Sequence, residues 1–222
     1  MDVDDKLAMK HKPARKRAEQ TRAIETRRGI LQAALDEFAE FGFEGANVRR
    51  IAQRAGTTHQ LVNYHFQNKT VLWQETAALV LGEALDLITQ NRTDAQEYDP
   101  TLTLKRELRE MMAFHMAHPK IQRFVMQESV PGNPRLTWLV NAYLRPIRKS
   151  QTALLDAAQA KGGLMPGDTM LIFYLLVGAM TVMPTMAEEF MQNTGMSAIP
   201  DDLIDSYWTM LESVLFRAPN ST

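Results

Sequence analysis

Cysteine is absent from the 222-residue chain. That excludes disulfides, thiolate metal sites and a cysteine nucleophile, and it fits a reducing cytoplasm. A signal-peptide pattern is missing too: Met1 to Asp5 is acidic and no apolar stretch follows. The longest apolar run, near Met170 to Met183, falls short of the roughly 20 residues a membrane span needs. Sustained alternation of apolar and polar residues, the mark of a strand, does not occur. Nor does a phosphate-binding loop, a nucleophile elbow, a dinucleotide fingerprint or a His-Glu-x-x-His pair. Ser129 and Ser150 lack a visible His and Asp framework. These absences predict a cytoplasmic, all-α protein that is not an enzyme and has no membrane partner and no cofactor.

What the chain does have is apolar content and an uneven charge. With 45% hydrophobic residues it can bury a full core. The net charge of −1 hides a basic front and an acidic rear. Residues 10–28 carry eight Lys and Arg against Glu19 and Glu25, and residues 70–222 carry 12 basic and 17 acidic side chains. A basic front alone suggests a polyanion partner for that part of the chain, although a solvated tail has the same composition. Residues 1–20 read as a basic flexible arm.

The spacing of apolar residues is helical almost throughout. "TRRGILQAALDEFAEFG" sets Ile30, Leu31, Ala34, Leu35, Phe38 and Phe41 on one face, and Gly42 is a stop signal. "NVRRIAQRAG" is a short second helix capped by Asn47 and ended by Gly56. Thr58 to Phe66 makes a third, and a long fourth starts at Asn68. Residues 21–68 read as a three-helix unit, 69–90 as a linking helix and 91–218 as a larger helical domain. In the latter, Pro146 and Pro184 mark kinks.

The stretch "IAQRAGTTHQLVNYHF" carries the most specific signal. Two short helices that cross steeply through a tight turn make a helix-turn-helix. Ala52 is small where the helices approach. Gly56 can take the positive φ of the turn. Val62 is an apolar plug into the three-helix core. Thr57, Thr58, His59, Gln60, Asn63, Tyr64 and His65 then remain free to face a DNA groove, where such side chains meet base edges, methyl groups and phosphates.

On these residues the chain resembles the tetracycline-repressor (TetR) family of bacterial transcription regulators. The resemblance covers about Arg22 to Leu81. It rests on "F-x-E-F-G-F-x-G", on the "I-A-x-x-A-G" turn and on the "Y-H-F-x-N-K" ending, with Asn47 standing where family members often have Thr. It implies an N-terminal helix-turn-helix domain joined through a long fourth helix to a C-terminal ligand-binding and dimerisation domain. It also implies a homodimer, with double-stranded DNA as partner and a repressor role. Thr58, His59, Gln60, Asn63 and Tyr64 become groove readers, and Tyr64 and His65 lie near phosphates. Lys69 at the start of the fourth helix, and Arg49 and Arg50 at the start of the second, are further phosphate candidates. Arg15, Lys16 and Arg17 of the arm could reach the backbone or the minor groove.

Beyond residue 90 no motif identifies a ligand. Met112, His115, Met116, Phe124, Met126, Trp138, Tyr143, Phe173, Val177 and Met180 are the candidates for lining an effector site. A Met-rich interior suits an apolar or aromatic molecule, and it also suits plain core packing. His115 and His118 invite a metal reading, but with no cysteine and no ordered carboxylate beside them no metal is expected. In the helix near residues 167–190, "DTMLIFYLLVGAMTVM" is apolar around its whole circumference. Residues 201–216 offer a stripe of Leu203, Ile204, Tyr207, Trp208, Leu211 and Leu215. The resemblance implies that these two helices pair with their copies, Gly178 and Ala179 allowing close approach. Two other classes fit part of the sequence. An all-helical carrier of apolar small molecules leaves the turn motif unused, and an architectural nucleic-acid binder leaves the second half unexplained.

Overall fold

Helical spacing becomes helical structure with few exceptions. The computed structural model describes residues 3–90 and 99–217. Contacts divide the chain into two compact units, with the division between Leu79 and Val80.

The first unit contains α1 (Val3–Gly45), α2 (Val48–Arg54), α3 (His59–Phe66) and the start of α4 (Lys69–Gln90). The predicted face of α1 buries Ile30, Ala34 and Phe38 against Ile51, Val62 and Phe66 of the same unit's core. Gly42, at φ 66 and ψ 177, breaks the helical path inside α1, as its stop signal predicts. At the other end the outcome differs. Instead of a flexible arm over residues 1–20, α1 runs back to Val3. Ala, Lys, Arg, Gln and Glu dominate that segment, and their helix propensity outweighs one proline. The side chains of Arg15 and Lys16 lie outside the described ones, as does residue 91, the predicted start of the C-terminal domain.

In the first unit α2, α3 and α4 each start on a side-chain cap. Asn47 Oδ1 accepts the Arg49 N–H (2.8 Å), Thr58 Oγ1 accepts that of Leu61 (3.2 Å) and Asn68 Oδ1 that of Val71 (2.9 Å). Such caps satisfy donors that a helix start otherwise leaves unpaired, each worth about 1 kcal/mol.

The second unit holds the rest of α4, then α5 (Pro100–Ala117), α6 (Pro119–Gln127), α7 (Pro134–Leu139), α8 (Arg145–Ala160), α9 (Thr169–Thr185), α10 (Ala187–Thr194) and α11 (Asp201–Leu215). Its core joins Leu104, Leu108 and Met112 of α5 to Leu154 and Leu155 of α8, Ile172 and Leu176 of α9, and Trp208 of α11. Lys105–Glu212 (2.8 Å) and Arg109–Asp205 (2.6 Å) pair α5 with α11. Both pairs reach solvent and contribute about 0–1 kcal/mol each, so burial dominates.

Both predicted proline sites distort a helix. Pro146 has no N–H, and its ring crowds the carbonyl four residues back. The chain responds with a π-helical turn over Val140–Leu144, where the Arg145 N–H reaches back five residues to the Val140 carbonyl. Pro184 lies at the end of α9, and α10 departs from it at 61°. Among the described residues no single helix is long and apolar enough to cross a membrane; α9 and α10 reach that length and hydropathy only together, across the bend.

One stripe faces the other way from its prediction. On α11, Trp208 and Leu215 are buried in the second unit's own core, with Ile204, Tyr207 and Leu211 packed against it. The Tyr207 hydroxyl donates to the Ala179 carbonyl (2.7 Å), tying α11 to α9. The outward face of α11 carries Met210 and Val214 instead. Amphipathic spacing identifies a stripe but does not say which neighbour it meets.

Candidate nucleic-acid interface and internal cavity

The corner between α2 and α3 is built on Glu37. Its carboxylate is fully buried, a costly position unless it is paired. Oε1 accepts the Asn47 backbone N–H (2.9 Å) and the Arg50 Nε–H (2.7 Å), and the Arg54 guanidinium lies 3.4 Å from Oε2. Arg50 also donates to the Gly45 carbonyl (2.8 Å) and stacks on the Phe41 ring, 4.5 Å from its centroid. Glu37 therefore fixes the start of α2 on α1. Ala52 and Val62 are buried between the helices, and Gly56 has φ +61 in the turn, the left-handed region that disfavours a side chain.

That packing leaves one side of α3 open. Gln60, Asn63 and Tyr64 are exposed, Tyr64 to 80%. Thr57, His59 and His65 are half-buried, while Thr58 is exposed with its hydroxyl engaged as the cap. Asn63 Nδ2 lies 3.4 Å from His59 Nδ1, one helical turn away. The Tyr64 ring meets His65 edge-on, with centroids 5.4 Å apart. Arg49 is exposed beside this face. Arg50 and Lys69 are more committed than the sequence suggests. Lys69 Nζ donates to the Glu44 carbonyl (3.2 Å) and lies over the Phe43 ring. Sequence reasoning missed Glu37, whose only signal was an acidic residue on an otherwise apolar helix face.

A short helix presented on a steep corner, with amides, a phenol and imidazoles outward, defines a helix-turn-helix DNA-binding protein. Residues 30–76 match the family model described as bacterial regulatory proteins, tetR family. Over 158 residues the chain is 26% identical to the HTH-type transcriptional regulator RutR of Escherichia coli (strain K12), covering 70% of this chain and 73% of that relative. It is 32% identical over 86 residues, 39% of each chain, to the "Probable acrEF/envCD operon repressor" of the same strain. Among solved structures, the ketosteroid transcriptional regulator KstR2 of Mycobacterium tuberculosis has the same fold, with a TM-score of 0.70 at 17% identity over 86% of this chain and 95% of that one. The family-model match and these relatives support a transcriptional regulator of the TetR type rather than an enzyme.

The second unit encloses a cavity of about 700 Å³. Leu81 of α4 and side chains from α5 to α9 line it. Of the candidates named from the sequence, His115, Phe173, Val177 and Met180 are on its wall. The remaining candidates are elsewhere. Met112 and Phe124 are buried in packing. Met116 and Met126 are off the wall, and Trp138 and Tyr143 pack edge-to-face on each other at 5.7 Å. On α5 the wall is formed by Leu108, Met111, Phe114 and His115, one side-step around the helix from Met112, a rotation that periodicity alone cannot resolve. Ile147, Arg148, Gln151 and Tyr174 also line it and were not among the candidates.

Most of the wall is apolar, which makes its polar atoms informative. Gln151 Nε2 donates to the buried Glu107 Oε2 (2.9 Å) and Thr181 Oγ1 donates to the Val177 carbonyl (2.7 Å). His115 Nδ1 is buried without a hydrogen-bond partner. Burial, and to a lesser degree the neighbouring His118 charge, lowers the His115 pKa below its ordinary 6.5. Near neutral pH this imidazole is uncharged.

Proposed function

We propose that the protein is a cytoplasmic, dimeric repressor that binds a palindromic operator and leaves it when an apolar or aromatic molecule fills the cavity. The carrying observation is the open face of α3: Gln60, Asn63 and Tyr64 are exposed together directly after a positive-φ turn. Side chains of this kind read base edges in the major groove, with Arg49 and His65 beside them for phosphates and Lys69, tied to the Glu44 carbonyl, at the start of α4. Two copies on a palindrome need their reading helices about 34–36 Å apart.

Support for a dimer comes from α9. Leu171, Tyr174, Leu175, Gly178 and Val182 form an exposed, mostly apolar stripe, and Met210 and Val214 of α11 are exposed as well. Large apolar patches on soluble proteins mark partner surfaces. Support for an effector comes from the cavity and from α4, which bears Lys69 at one end and Leu81, on the cavity wall, further along. A ligand that pushes on Leu81 can favour a tilt of α4. A coupling of about 1–3 kcal/mol would lower operator affinity by roughly 5–150-fold.

Selection of bound duplexes from a random pool tests the reading at its base. A recovered inverted repeat is the expected outcome. Recovery of no palindrome at moderate salt would reject it and leave the cavity to a carrier of apolar molecules.

A further inference from the structure

Among the described residues the cavity wall carries two arginines, Arg145 and Arg148, and no Asp or Glu. Arg148 is half-buried, and its one side-chain hydrogen bond among the described residues is a weak donation to Met170 Sδ (3.7 Å). Among the same residues no acid forms an ion pair with Arg148. Two described acids on the neighbouring elements are already occupied. Asp168 accepts the Met170 and Leu171 N–H groups as the cap of α9, and Glu107 takes the Gln151 amide.

A guanidinium flanked by apolar walls and lacking a counter-charge is poised for an anion. Its five donors match a carboxylate bidentately, and low local dielectric strengthens the pair. His115 does not supply that charge, since its buried imidazole is neutral. Arg145 and Tyr174 line the cavity and are also exposed, so the cavity opens to the surface beside Arg148. We propose that the effector is an apolar acid whose hydrocarbon body fills the cavity and whose single anionic head is paired by Arg148, with Arg145 beside it. This rests on the reading of the cavity as an effector site and specifies its ligand class.

Matched pairs of acid and primary alcohol test it. Decanoate and decanol, 4-phenylbutanoate and 4-phenylbutanol, and a fused-ring acid with its alcohol cover three body shapes. Calorimetric titration and thermal melting are measured on the full-length protein, on Arg148→Met and on Arg148→Gln. At least one acid is expected to bind and raise the melting temperature, at least about tenfold tighter than its alcohol, the advantage a charge-assisted bidentate pair supplies. Both substitutions should erase that preference and leave alcohol binding unchanged, while Arg148→Lys should keep part of it. Equal binding of acids and alcohols, or a preference that survives both substitutions, would overturn the head-group assignment while the effector reading stands. Binding of neither kind by any body would overturn both.

Discussion

Arg50 Nε and Glu37 Oε1 lie 2.7 Å apart at the corner between α1 and α2, and the same oxygen holds the Asn47 N–H. Glu37→Ala should therefore destabilise the first unit. The Asn47 N–H and the Arg50 guanidinium lose a charged acceptor, a cost of about 1.5–3 kcal/mol. Denaturant unfolding measures it, and an unchanged midpoint would show that the carboxylate is dispensable.

Arg50 then acts differently from the exposed Arg49. Arg50→Ala should lower the unfolding midpoint and weaken DNA binding with the salt slope unchanged, because the guanidinium is held by the protein. Arg49→Ala should reduce the salt slope by about one unit for each phosphate that Arg49 neutralises. An equal reduction of slope in both variants would place Arg50 on phosphate as well.

Base choice and adhesion should separate on α3. Gln60→Ala or Asn63→Ala should change the selected sequence, removal of a bidentate amide–base pair relaxing discrimination by about 1–3 kcal/mol. Tyr64→Ala should weaken all sequences alike. Repeating the random-pool selection with each variant distinguishes the two. An unaltered consensus from both amide variants would move readout elsewhere.

Gly178 offers a clean test of pairing. It is exposed in mid-α9, and a Cβ built there meets nothing within 4 Å of its own subunit. Gly178→Arg should keep the subunit folded, since arginine is a better helix former than glycine, yet block close approach of a second copy. Light scattering should show a monomer, with operator affinity abolished. A stable dimer would exclude α9 from the interface.

His115 predicts an acid-side instability. Its folded pKa lies below the ordinary 6.5, so the unfolded chain binds the proton first. The stability this neutral imidazole allows is complete above about pH 6.5 and is lost as pH falls through the lower folded value. Melting temperature between pH 7 and pH 5 should fall more steeply for the wild type than for His115→Phe. Parallel curves would show that the imidazole titrates freely.

Much of the first unit was legible because local rules decide it. Caps at Asn47, Thr58 and Asn68, the stop at Gly42 and the turn at Gly56 each depend on a few neighbouring residues. Glu37 was invisible because its partners lie ten or more residues ahead. In the second unit, helix positions and both proline distortions could be read, but helix rotation could not. Met112 and Met111 are equally apolar, and only the packing of α5 on α8 and α9 decides which reaches the cavity. The α11 stripe faced inward for the same reason: an apolar face does not specify its neighbour.

Helix α9 contains no charged residue, and each of its sides has a task. Ile172 and Leu176 belong to the core, Phe173, Val177 and Thr181 to the cavity wall, and Leu171, Leu175 and Val182 to the outward stripe. Hardly any substitution there can be neutral. The helix is thus a poor substrate for drift, and altered effector preference has an easier path through α5, α6 and α8. Divergence among descendants of this chain should accumulate on those three walls and spare the fourth.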